Sequence, residues 1–100
     1  MTFEIKLRVG FFKTRCYRLI IAHRKILLTP HDDNNEQIII DDKELISIDI
    51  SKKGCKTGEL EIISQNRVYI GNFVHQRNLK EVCRFFAGEF GNKFISQYNY

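Results

Sequence analysis

The sequence predicts a mainly β domain of the α+β class: a seven-stranded antiparallel, partly open barrel closed by one C-terminal α-helix. Three observations predict it. Between Phe3 and Phe73 the apolar residues either alternate with polar ones or form short aliphatic runs bounded by turn residues. After Asn78 the apolar spacing changes to three and four residues, as on one face of a helix. The chain has 100 residues, enough for one hydrophobic core, so residues 1–100 read as a single domain. Strands need one face covered and an amphipathic helix needs a partner, and packing one on the other satisfies both.

The elements follow in order. Phe3, Ile5, Leu7 and Val9 alternate with Glu4, Lys6 and Arg8, which predicts a half-buried first strand. Gly10 permits the turn. Arg15 to Ala22 and Lys25 to Thr29 are apolar runs separated only by His23 and Arg24, a hairpin without the usual Asn-Gly corner. Pro30 ends the third strand, because proline cannot donate to a ladder. His31 to Glu36 is a polar loop, and Gln37 to Ile40 a short fourth strand. Leu45 to Ile50 is the fifth, with Ile46, Ile48 and Ile50 expected inward and Ser47 and Asp49 outward. A lysine-rich loop from Ser51 to Gly58 leads to the sixth strand, Glu59 to Ser64. Gln65-Asn66 forms a tight turn before the seventh, Arg67 to Phe73. Leu79, Val82, Cys83, Phe86, Phe90, Phe94, Ile95 and Tyr98 then predict one helix from Asn78 to Tyr98, with Asn78 and Glu81 placed as a capping pair. Gly88 and Gly91 weaken it by roughly 1 kcal/mol each against Ala.

Composition bounds the function. Hydrophobic residues are 43% and charged residues 28%, an ordinary globular balance. A net charge of +4 favours acidic partners, but no dense Lys/Arg stripe argues for nucleic acid. Cys16, Cys55 and Cys83 are odd in number and far apart, which argues against a disulfide framework and for a reducing, cytoplasmic setting. The N-terminus carries charges throughout and does not read as a signal peptide.

The hairpin from Tyr17 to Pro30, YRLIIAHRKILLTP, resembles the strand-turn-strand unit of bacterial pleckstrin-homology-like (PH-like) and GRAM-like domains. In those families an apolar strand ends in a short polar turn, followed by a basic residue and an aliphatic run, here Lys25 to Thr29. The order of seven strands and a closing helix extends the resemblance from Phe3 to Tyr98. The chain has no Trp, whereas eukaryotic PH domains usually carry one in the final helix; Phe86 or Phe90 is placed to fill that role. The resemblance implies a non-enzymatic interaction module, without cofactor, that binds a protein partner or itself. Its alternative implication is binding of an anionic phospholipid or phosphoinositide headgroup. PH domains that do so place a basic residue on the first strand and a basic-x-Arg pair at the start of the second, which maps to Lys6, Lys13 and Arg15. A guanidinium there would grip phosphate in bidentate fashion. Asp32, Asp33 and Glu36, expected at the same end, oppose that potential.

Other chemistry has less support. A calcium loop counted from Asp32 would need a Glu at its twelfth position, where Lys43 stands. Cys16 and Cys83 read as buried thiols of a strand and a helix. Cys55 lies among lysines and is the one candidate for a reactive thiol, but no motif of a thiol enzyme accompanies it. His23 and Arg24, set beside Lys52, Lys53 and Lys56, would form a charged corner. A helix from Asn78 to Tyr98 would extend about 30 Å, longer than a small barrel requires. Its last turns, with Phe90, Phe94 and Tyr98, are therefore expected to overhang and to form a homo-oligomer interface.

Overall fold

The computed structural model describes residues 2–11, 13–31, 36–52, 58–75 and 79–96. Its strands are β1 (Thr2–Arg8), β2 (Thr14–Ala22), β3 (Lys25–Pro30), β4 (Ile38–Asp41), β5 (Leu45–Ser51), β6 (Glu59–Ser64) and β7 (Val68–Phe73). Helix α1 (Leu79–Phe90), a 3-10 turn at Gly91–Lys93 and a last strand β8 (Phe94–Ser96) complete the chain. All eight strands form one open sheet in the order β4-β3-β2-β1-β7-β6-β5-β8.

The order follows from local signals and one long-range pairing. Alternation along β1 buries Phe3, Ile5 and Leu7 and exposes Glu4, Lys6 and Arg8. The β2–β3 hairpin turns on His23 and Arg24, with Ala22 opposite Lys25. Both turn residues have positive φ, 54° and 59°, as a type I′ corner demands. Neither is Gly or Asn, so the backbone there is strained. The long-range pairing joins β1 to β7 through Lys6 opposite Asn72 and Leu7 opposite Gly71. Gly71 is required at that junction. A Cβ on it would lie 2.7 Å from the Lys6 carbonyl oxygen and 2.9 Å from Leu7 Cδ2, so any side chain would push the two strands apart.

The core lies between the inner face of the sheet and α1. Tyr17, Leu19, Ile21, Ile26, Leu28, Ile48, Ile50, Leu60, Ile62 and Phe73 face it from the strands. Leu79, Val82, Cys83, Phe86 and Phe90 face it from α1. Phe86, fully buried, is the centre of the plug: its ring stacks on Phe94 at 5.7 Å and meets Phe90 at 6.2 Å.

Several expectations are corrected. The sheet has eight strands rather than seven and is mixed rather than antiparallel, because β8 runs parallel to β5. The helix ends at Phe90, not Tyr98. Gly91 adopts φ +57°, a left-handed stop that glycine accepts without a Cβ clash. The chain then turns and covers the edge of β5. Twelve helical residues span about 18 Å, so the described helix does not overhang the sheet. In β5 the register shifts between Leu45 and Ser47. That bulge turns Ile46 out, 54% exposed, where simple alternation from Ile48 and Ile50 would turn it in. Cys16 is exposed on the outer face of β2, whereas Cys83 is buried as expected.

Candidate functional site

Three features of the described surface combine chemistry with accessibility: one end of the sheet where β1 meets β7, the outer face along β4, and the β2–β3 corner.

At the first, the end of β1, the first half of β2 and the starts of β4 and β7 surround a cavity of about 160 Å³. Its lining is Leu7, Arg8, Val9, Tyr17, Ile38, Arg67, Val68 and Tyr69. The inner wall is thus apolar and aromatic, and the polar rim carries two guanidinium groups. The hairpin from Ser64 to Arg67 fixes one of them. Ser64 Oγ donates to the Arg67 carbonyl at 2.9 Å and accepts from the Arg67 N–H at 3.2 Å. The Arg67 guanidinium lies 5.9 Å from the centroid of the Tyr69 ring, so the ring face also holds it.

Above this mouth stands the β1–β2 connection. It is closed by the Val9 N–H donating to the Lys13 carbonyl at 3.0 Å. At its tip Phe11 is 95% exposed and Val9 48%. A phenyl ring so placed leaves nearly all of its surface open to solvent. Around it stand the exposed cations Arg8 and Lys13 and the half-buried Arg15. A protruding apolar tip within a basic collar suits a surface that is anionic outside and apolar beneath.

The predicted trio is only partly assembled. Lys6 pairs with Cys16 and points outward, whereas Arg15, opposite Leu7, occupies an inward-facing position. Lys6 and Arg15 therefore lie on opposite faces of the sheet and do not form one phosphate grip. Lys13 stays near the mouth, and Arg8 and Arg67 take the place given to Lys6. Sequence reasoning passed over Arg67 because only the β1–β7 pairing, across most of the chain, brings it to Arg8. Glu36 is exposed after the acidic loop, while Asp32 and Asp33 lie outside the described residues.

The predicted interface is not assembled either. Phe90 is 4% exposed and belongs to the core. Phe94 packs against that core, and Tyr98 lies outside the described residues. The second surface feature lies elsewhere, on the outer face of the sheet. Ile20, Leu27 and Ile39 stand in one cross-strand row over β2, β3 and β4. Ile39, on the edge strand, is 53% exposed.

At the third feature, Glu89 of α1 accepts the Arg24 N–H at 2.9 Å. The Arg24 guanidinium meets Asp42 Oδ2 at 3.1 Å, and the Asp42 N–H donates to the Arg24 carbonyl at 3.1 Å. Lys93 Nζ donates to the Asp42 carbonyl and lies 3.4 Å from its Oδ1. This network ties the strained corner to the end of the helix, so the charges there are used within the fold. The described partners of the corner are Asp42 and Glu89; Lys53, Cys55 and Lys56 lie outside the described residues.

Among the described residues no three His, Cys, Asp or Glu side chains group closely enough to hold a metal. No described helix is long and apolar enough to cross a membrane. A scan against models of known protein families finds no match, and no curated protein matches the chain.

Proposed function

We propose that this chain is a non-enzymatic interaction module of the PH-like kind whose ligand face is the mouth beside the β1–β2 connection, and that it docks there on an anionic surface. The observation that carries the reading is Phe11, 95% exposed at a tip collared by Arg8 and Lys13. The two antiparallel runs β4-β3-β2-β1 and β7-β6-β5, joined through β1 and β7 and followed by the buried helix, support the family assignment. The collar would contribute on the order of 1 kcal/mol per cation near an anionic membrane. Inserting one phenyl ring adds about 1.5–3 kcal/mol. The 160 Å³ cavity is smaller than the sites that take drug-sized ligands, so it suits a small anionic group rather than a whole organic cofactor.

Cosedimentation with vesicles tests this reading, comparing phosphatidylcholine alone with phosphatidylcholine containing phosphatidylserine. Binding is expected only with the anionic lipid, falling steeply as salt rises. Phe11→Ser is expected to weaken it about tenfold or more, and Arg8→Ala with Arg67→Ala similarly. No binding to anionic vesicles, or equal binding to both compositions, overturns the assignment.

A further inference from the structure

The unpaired edge of β4 is the second surface that calls for an occupant, and its sequence narrows what that occupant is. Within the described sheet, β4 pairs with β3 on one side and ends the strand order on the other. Edge strands that end a sheet usually carry a charge, a bulge or a proline against further pairing. Here the central residue facing out is Ile39, continuing the apolar row of Ile20 and Leu27.

We propose that β4 pairs antiparallel with β4 of a second copy of this chain, about a twofold axis through Ile39. A twofold normal to the sheet keeps inner and outer faces distinct, so only registers that oppose like faces are allowed. Centred on Ile39, the pairing sets Ile39 against Ile39 of the second copy and Ile38 against Ile40. Gln37 then stands opposite Asp41, an amide donor facing a carboxylate acceptor. Centred on Ile40, the pairing would oppose Ile39 to Asp41. Centred on Ile38, it would oppose Ile39 to Gln37 and the buried Ile40 to Glu36. Only the register through Ile39 matches every apolar residue with an apolar one; at its margin Glu36 faces Asp42, whose carboxylate is already paired with Arg24 and Lys93. It also joins the two outer rows into one apolar stripe, Ile20-Leu27-Ile39 meeting Ile39-Leu27-Ile20. The four-residue strand limits the contact, so the dimer is weak and appears with concentration.

Sedimentation equilibrium over a concentration series up to about 1 mM tests the pairing. The wild-type chain is expected to pass from monomer to dimer. Ile39→Lys, at a surface position the fold tolerates, is expected to raise the dimer dissociation constant at least about tenfold by opposing two ammonium groups. Ile95→Lys, equally exposed on the β8 edge, is expected to leave it unchanged. Cross-linking gives a second readout: Ile39→Cys in a Cys16→Ser/Cys55→Ser background is expected to form an intermolecular disulfide under mild oxidation, and Val68→Cys in the same background is not. A chain that stays monomeric throughout, or a dimer indifferent to Ile39→Lys, overturns the proposal. Vesicle docking stands or falls separately, because Phe11→Ser is expected to leave dimerisation intact.

Discussion

Phe86→Ala tests the packing of α1 more sharply than any other single change. The ring is fully buried and lies between Phe90 and Phe94 at centroid separations of 6.2 and 5.7 Å. Truncating such a ring costs about 3–5 kcal/mol, from lost transfer energy and a cavity that rigid strands on the other side cannot fill. A domain of this size is stable by only about 5–15 kcal/mol in total. At about 4–8 °C per kcal/mol for a domain near this size, Tm should fall by on the order of 10–40 °C. The neighbouring ring is the control. Phe85 sits about 100° further round the helix, 36% exposed, with an edge-on contact to Phe3 at 6.3 Å. Phe85→Ala should cost only about 1 kcal/mol. Thermal and urea unfolding followed by circular dichroism measure both. Equal losses, or a larger one for Phe85→Ala, would mean that α1 presents a different face to the sheet.

Other substitutions probe the strands. Gly71→Ala should destabilise by about 1–3 kcal/mol, because its Cβ meets the Lys6 carbonyl and the β1–β7 ladder must open; a neutral result in urea unfolding would refute that close approach. His23→Asn should stabilise by about 0.5–1 kcal/mol, since Asn tolerates the left-handed corner better, and a lower urea midpoint would count against the strain. Ile46→Ser should change stability by less than about 0.5 kcal/mol, whereas Ile48→Ser should cost several-fold more; the reverse order would remove the bulge.

Most of the fold was legible because strand alternation and helix spacing are local. The pattern of β1 gave its buried and exposed faces from Phe3 to Arg8, but Val9, read with the buried face, lies past the strand and is 48% exposed. The two residues between Ala22 and Lys25 gave the hairpin, although neither belongs to the usual corner chemistry. What failed is instructive. Phe94 and Ile95 keep a helical spacing with Phe90, so the stripe ran on past Gly91, and only the backbone there shows that the chain turns out of the helix. The same Gly91 hides β8, whose three residues are too short to show a period. One inserted residue in β5 reversed Ile46. The mouth was partly legible through Lys13, but its Arg8 and Arg67 come together only by pairing strands sixty residues apart. Phe11 was passed over because nothing in a sequence distinguishes an exposed phenylalanine from a buried one. The interface expected at Phe90, Phe94 and Tyr98 rested on a helix running to Tyr98, whereas α1 ends at Phe90.

Everything at the mouth depends on β1 lying between β2 and β7. Backbone NMR of the labelled protein tests that directly, through contacts across the β1–β7 pair. Cross-strand signals between Lys6 and Asn72 and between Leu7 and Gly71, with slow amide exchange along the ladder, are the expected result. Their absence, together with a protected ladder joining β4 to β5, would contradict the strand order and separate Arg8 from Arg67.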